Sequence, residues 1–209
     1  VAGGTDMIVN VRRGIEQPKN LVDLSSINQL KEISESNNGL RIGAGVTLNQ
    51  VATAALIKKG YPAVAEAASS VAGGTHQQYG TLGGNLCLDT RCLFYNQSEW
   101  WRQSNDYCMK ERGDVCHVAP GGKRCFAAFS GDVAPAMLVY MAEVELLSSK
   151  GLRRIPLAEM YQNDGMNHLT LATDELVSAI HLPKNLNGSP SRYEKVRIRG
   201  SIDFPLAGV

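Results

Sequence analysis

The order of patterns along the chain predicts an α+β fold of two lobes. Three observations carry it: helix-forming stretches dominate the first half, period-two alternation dominates the second, and a cysteine-rich segment separates them. The lobes are expected at 1–50 and 51–209, with residues 88–129 set apart as an insert. Val1-Ala2 followed by Gly3-Gly4-Thr5-Asp6 reads as a strand end and a tight turn, after which a helix runs from Met7 to Arg13 and closes at Gly14. Leu21 to Leu24 reads as a short strand. Ile27, Leu30 and Ile33 recur at helical spacing after Ser26, and Asn37-Asn38-Gly39 turns the chain into a strand from Leu40 to Ala44, which predicts a β-α-β unit. Thr47-Leu48-Asn49-Gln50 matches a capping box whose helix runs to Lys59 and stops at Gly60. Pro62, tolerated in a first turn, opens an alanine-rich helix through Val71.

Gly73-Gly74 and Gly83-Gly84 bracket a loop region, and Ala134 to Tyr140 is apolar enough for a buried helix or strand. From Ala142 the pattern alternates through Val144 and Leu146, turns at Ser148 to Gly151, and returns through Leu152 and Arg154 as a hairpin. Leu176 to Leu182 is a strand ended by Pro183, and Tyr193 to Ile198 alternates again. The chain starts at Val1 without a methionine and stops in what reads as the start of a strand, so a longer polypeptide is expected.

Net charge is +1 with both signs interspersed, so nothing marks a nucleic-acid or anionic-membrane partner. The longest apolar run, Val133 to Leu147, is interrupted by Glu143 and Glu145 and falls short of the ~18 to 20 uncharged residues that a spanning helix needs. Five cysteines, an odd number, without a secretory signal argue against a disulfide framework and for a reducing compartment, the cytoplasm.

Paired glycines let backbone N–H groups approach an anion closely, a nest suited to a pyrophosphate, although one such pair alone reads first as an ordinary tight turn. Neither the Rossmann nor the P-loop fingerprint is present. Cys92, Cys108, Cys116 and Cys125 are spaced C-x15-C-x7-C-x8-C, and four thiolates can close the shell of one metal centre. These gaps lack the tight pairs of zinc knuckles and of low-potential ferredoxins, so spacing leaves zinc and iron–sulfur both open. Inert buried thiols are the weaker reading, because the segment is too polar to bury them by packing. Arg91, Arg102, Lys110, Arg112, Lys123 and Arg124 could offset thiolate charge, against five acidic residues in the same stretch. Cys87 is assigned to the core, His117 to a surface or hydrogen-bonding role, and His168 and His181 to structural ones; the insert's aromatic residues are expected to form its miniature core.

Ala2-Gly3-Gly4-Thr5-Asp6, Ile42-Gly43-Ala44 leading to Thr47, Thr81-Leu82-Gly83-Gly84-Asn85-Leu86, Gly131-Asp132-Val133-Ala134-Pro135 and Lys195-x3-Arg199-x3-Asp203 follow one another along the chain. The series resembles the FAD-binding subunit of the molybdenum hydroxylases, the xanthine dehydrogenase and CO dehydrogenase family. The resemblance implies a two-lobed FAD-binding domain of the PCMH/CO dehydrogenase flavoprotein type. It implies that FAD is held by Ala2, Gly3, Gly4, Thr5 and Asp6 and by Thr81, Gly83, Gly84 and Asn85, with Asp132 near the ribose and Lys195 near the flavin ring. His76-Gln77-Gln78-Tyr79 departs from the Gln-Ile-Arg-Asn run of most members. The stretch from Asp89 to Arg102 is similar to a reductive branch of the family whose flavin subunit carries an extra loop, and this implies that Cys92, Cys108, Cys116 and Cys125 hold a 4Fe-4S cluster. The implied partners are a ferredoxin donor, a small 2Fe-2S subunit and a large molybdenum-cofactor subunit, assembled as a dimer of heterotrimers, with no catalytic residue in this chain. Two other functions stay open: a flavin subunit passing electrons outward, and a zinc-stabilised binding module without redox activity.

Overall fold

The structure, a computed structural model, describes residues 1–185 and 190–209. A five-stranded antiparallel sheet lies at its centre. Its strands are β1 (Ile33–Ser36), β2 (Gly39–Gly43), β3 (Glu143–Ser148), β4 (Gly151–Pro156) and β5 (Leu176–Pro183), in the order β1-β2-β5-β3-β4. Leu40 stands opposite Leu182 and Ile42 opposite Ile180, so strands from both sides of residue 50 share one sheet.

The predicted β-α-β unit is a hairpin instead. Asn28–Lys31 form a single 3-10 turn, and Ile33, whose spacing suggested helix, begins β1. Apolar residues at spacings of three do not separate one helical turn from a strand entry. Asn37-Asn38 decides the matter as a two-residue loop that pairs Ser36 with Gly39. Leu21 to Leu24 forms no ladder; it is tied to the N-terminus by Val1 donating to Val22 O at 2.6 Å and Leu24 N–H donating to Val1 O at 2.8 Å.

Helix α1 (Met7–Arg12) follows the first glycine turn as expected. The capping box at Thr47 is formed, but its helix is split into α2 (Leu48–Thr53) and α3 (Ala55–Gly60) because Ala54 takes an extended ψ of 125°. Pro62 opens α4 (Pro62–Ser70). The loop expected between the glycine pairs is two short helices, α5 (Gly74–Tyr79) and α6 (Leu82–Leu86). Glycine costs a helix about 1 kcal/mol per residue, and in α6 the complete burial of Leu82 and Leu86 opposes that cost. Helix α7 (Glu99–Ser104) lies in the insert, and α8 (Val133–Val139) resolves the helix-or-strand alternative. The alternation at Tyr193 to Ile198 yields only β6 (Lys195–Val196), paired with β7 (Ala207–Gly208); Val196 and Ile198 stay exposed, so no buried face extends the ladder. Among the described residues no helix is long and apolar enough to cross a membrane.

Leu40, Ile42, Val144, Leu146 and Ile180 join Val51, Val64, Leu86 and Met137 in one buried apolar cluster, and the small Ala67 and Ala68 of α4 are packed into it. Among the described residues, none between Leu88 and Ala128 belongs to that cluster. Polar side chains cross the strands elsewhere in the sheet. The buried Glu145 accepts from Ser178 Oγ at 2.8 Å and Arg41 Nη2 at 3.1 Å, and lies 2.8 Å from His181 Nε2. Burial alone would raise this carboxyl, but these partners outweigh it and bring its pKa from 4.5 to about 2.

A folded pKa below the unfolded one means stability that is fully present above pH 4.5 and lost as pH falls towards 2. Glu145 is expected to contribute on the order of 3 kcal/mol at neutral pH. Urea unfolding between pH 7 and 2.5 should show Glu145→Gln less stable at neutral pH and less sensitive to acid than the parent.

Candidate functional site: a large cavity beside a cysteine pocket

A cavity of about 540 Å³, within the usual range for small-molecule sites, opens between the first glycine turn with α1 and the residues from Val71 to Arg91. Ala2, Gly3, Gly4, Thr5 and Asp6 all line it, as do Thr81, Gly84, Asn85 and Asp132. Gly83 and Lys195 are not among its lining residues.

The two glycine turns are not equivalent. At Gly3 a Cβ would fall 1.9 Å from the Tyr79 carbonyl oxygen, and Gly4 has φ +67°, so the first turn requires both glycines. The N–H groups of Gly3, Gly4, Thr5 and Asp6 find no backbone acceptor among the described residues. In the second turn Leu82 donates to Val46 O and Gly83 to Ala44 O, both at 2.8 Å, and Gly84 donates to Thr81 Oγ1 at 3.2 Å. Gly83 serves packing, since a Cβ there would lie 2.7 Å from that of Ala44.

Asn85 Oδ1 accepts from Val133 N–H at 3.2 Å, which ties α6 to the start of α8 and so positions Asp132. Asp132 accepts from Tyr193 OH at 2.9 Å and from Lys195 Nζ at 2.9 Å, and Lys195 also donates to Ser70 O at 3.1 Å. The side chains of Asp132 and Lys195 are each 4 % exposed. Burial, with Asp132 beside it, pushes the Tyr193 phenol up. Arg199 and Asp203 of the same motif do line the cavity, paired at 3.3 Å.

Cys92, Cys108, Cys116 and Cys125 together line a second, smaller cavity with Phe94, Tyr95, Lys110 and His117. All are free thiols. Burial pushes Cys108 and Cys125 up, while backbone N–H groups of Lys110 and Glu111 on the first, and of Ala127 on the second, pull the other way. At Cys116 burial is outweighed by the N–H groups of Phe126, Ala119 and Val118 and by the charge of Arg124, and the thiol lies below its usual value. Cys125 Sγ accepts from Ala127 N–H at 3.4 Å. Among the described residues no three His, Cys, Asp or Glu side chains converge as one metal ion requires.

Of the six basic residues that could balance thiolates, only Lys110 lines this cavity. Arg102 is buried between Glu99, at 2.9 Å, and Glu111, at 3.4 Å but unaligned for a hydrogen bond, while Arg112 pairs with Glu99 at 2.6 Å. Arg124 stacks over Phe126, and Arg91 turns to the larger cavity. The expected aromatic miniature core is thin: Tyr95 is buried, but Trp100 is exposed. His117 Nε2 lies 2.6 Å from Tyr107 O, in a hydrogen-bonding role. Cys87 packs against the core, and burial pushes its thiol up to about 12.

One short segment separates the cavities. Arg91 lines the larger and Cys92 the smaller; Asp89, on the larger, pairs at 2.7 Å with Lys110 on the smaller. Arg91 exchanges backbone hydrogen bonds with Ala128 at 2.8 and 2.9 Å. Side chains alternate along extended backbone, so neighbouring residues face opposite ways. Sequence reasoning missed Arg91, Asp89, Glu16 and Arg199 as lining residues of the larger cavity; a basic residue directly before the first clustered cysteine was the available signal for Arg91.

The family described as "FAD binding domain in molybdopterin dehydrogenase" matches residues 1–185. The chain belongs to this family. It is 31% identical over 224 residues to the aldehyde oxidoreductase FAD-binding subunit PaoB of Escherichia coli strain K12, covering all of this chain and 68% of the relative. It is 26% identical over 210 residues to the xanthine dehydrogenase FAD-binding subunit of Escherichia coli O157:H7, covering all of this chain and 58% of the relative. Its fold matches that of carbon monoxide dehydrogenase from Hydrogenophaga pseudoflava with a TM-score of 0.76 at 21% identity, over all of this chain and 58% of the other. The chain thus spans 58% to 68% of the length of these relatives.

In this FAD-binding family the larger cavity suits the cofactor: N–H groups at the first turn without a backbone acceptor suit a pyrophosphate, and the volume of about 540 Å³ is in the range of small-molecule sites. Asp132 supports its wall through a buried ion pair, and breaking such a pair strands a charge. Asp132→Asn should therefore lose about 3–5 kcal/mol of stability in urea unfolding. Adding Lys195→Met should recover a large part of the loss; no recovery would mean that the pair is not the source.

Proposed function

We propose that the chain is the flavin and iron–sulfur subunit of a 4-hydroxybenzoyl-CoA reductase. The carrying observation is that four free thiols line one cavity inside a segment with no share of the apolar core, and that the Asp89–Lys110 pair and the adjacent Arg91 and Cys92 link it to the larger cavity. In this reading Ala2, Gly3, Gly4, Thr5, Asp6, Thr81, Gly84 and Asn85 surround FAD, Asp132 faces the ribose, and Gly83 and Lys195 support that wall from behind. The cavity draws its lining from residues on both sides of the expected boundary at 50, Val1 to Glu16 and Leu48 before it and Val71 to Arg91, Asp132 and Arg199 to Phe204 after it.

Cys92, Cys108, Cys116 and Cys125 hold a 4Fe-4S cluster. Backbone N–H groups directed at cluster sulfurs, with a nearby buried cation, tune such a centre, and the Ala127 N–H on Cys125 Sγ and the Lys110 ammonium would supply both. A cluster would take one thiolate at each corner, and the cavity of about 10 Å³ between the thiols would have to widen to admit it. The bound cofactors supply one- and two-electron chemistry. The chain's own residues hold and orient them and keep the space between dry. FAD and the cluster, when bound, would offer a path for electrons from a ferredoxin towards 2Fe-2S centres on a small subunit and a molybdenum site on a large one, where 4-hydroxybenzoyl-CoA would take up two electrons and two protons to give benzoyl-CoA and water. The assembly is a cytoplasmic dimer of heterotrimers serving anaerobic degradation of aromatic compounds.

Metal, sulfide and flavin analysis of the full-length subunit prepared without oxygen tests this reading. About four irons with matching acid-labile sulfide, one FAD, and a visible band that bleaches with dithionite are expected. Cys116→Ser should lose most of the iron and keep the FAD. Stoichiometric zinc without iron would sink the cluster, and a cluster potential above that of the flavin would reverse the proposed direction of flow.

A further inference from the structure

The carboxylates lining the larger cavity nearly all have cationic partners. Asp89 is paired with Lys110, Asp132 with Lys195, Asp203 with Arg199 and Asp6 with Arg91, while Glu16 accepts from Tyr95 OH at 3.3 Å. Among these cations Arg91 differs in having a buried nitrogen with no partner. Its Nη2 contacts Asp6, but Nη1 is buried with no hydrogen-bond partner, in a side chain only 10 % exposed. Its backbone is fixed by the Ala128 pairing, so the guanidinium is held in the cavity wall rather than free to find water.

A buried N–H without an acceptor is costly, and a fork-shaped guanidinium is best matched by the oxygens of a carboxylate or phosphate. Asp6 already takes one arm of the fork. Asp6 also belongs to the turn whose N–H groups lack backbone acceptors, and Arg91 and that turn line the same cavity. We propose that Arg91 is a dinucleotide-binding residue that the insert lends to the flavin cavity, its Nη1 donating to a phosphate oxygen of the ligand while Nη2 remains on Asp6. The proposal rests on the reading of the larger cavity as the FAD site. It makes the insert part of that site: the residue that grips the dinucleotide is bonded directly to Cys92, so the cysteine segment orders one wall of the flavin cavity.

Binding of FAD, ADP and riboflavin to the full-length subunit freed of flavin separates phosphate recognition from general damage. Arg91→Gln should weaken FAD and ADP by about 10- to 100-fold and leave riboflavin, which has no phosphate, unchanged; Arg91→Lys, keeping the charge but not the fork, should fall between. Parental affinity of Arg91→Gln for FAD and ADP overturns the proposal, and so does an equal loss for riboflavin, which would mark Arg91 as a purely structural partner of Asp6. Gly4→Val, checked for intact fold by circular dichroism, tests the cavity itself. If it leaves FAD binding untouched, the cavity reading fails; if it abolishes binding while Arg91→Gln does not, only the role of Arg91 fails.

Discussion

Two backbone hydrogen bonds between Arg91 and Ala128 hold the ends of the cysteine segment together, and the relation between the two cavities depends on them. They close an excursion of the chain on itself, so the FAD-binding scaffold can carry the insert without opening its sheet or moving α8. They also hold the backbone extended at the point of entry, where one side chain must turn to the larger cavity and the next to the thiols. Thr90, just before, is buried and accepts from Lys110 while donating to Gly165, which fastens the same point to the loop after β4.

What the insert lacks is as informative as what it contains. Its residues stay out of the apolar cluster that unites the sheet with the helices, and its interior is made of Tyr95, Arg102 and the thiols. A segment that buries so little apolar surface has little to set against the entropy of ordering it. Small structures in this position use disulfides or metal centres as staples; these cysteines are unbridged. A centre held by the four thiols, as proposed above, would supply order as well as electron transfer, and the ion pairs among Arg102, Glu99, Glu111 and Arg112 lie in the same segment.

Much of the fold could be read from local chemistry because single residues dictated it. Thr47 and Gln50 announced their cap, Pro62 opened α4, and the alternation through Val144 and Leu146 with a Gly151 turn announced the hairpin. Reading failed where tertiary burial overruled propensity. Leu82 and Leu86 draw a glycine-rich stretch into a helix, Ala54 splits a continuous helical pattern, and Asn37-Asn38 turned a supposed crossover into a hairpin. At the site, the glycine motif located the first turn and Asp132, but only the structure separates Gly84, on the cavity, from Gly83, packed against Ala44. Lys195 was legible as part of a motif, yet its ammonium is committed to Asp132 and Ser70 rather than open to the cavity, a pairing between distant residues that spacing cannot reveal.

Hydrogen exchange across residues 92–127, compared between the subunit as isolated and after removal of its metal by a chelator and oxidant, tests most directly whether a bound centre orders the insert. If the thiols close around such a centre, amides of this segment lose protection on metal removal while those of Ile42, Val144 and Ile180 in the sheet keep theirs. A segment that stays equally protected without metal would contradict it, and would leave the four cysteines as buried thiols of a loop that folds by its own contacts.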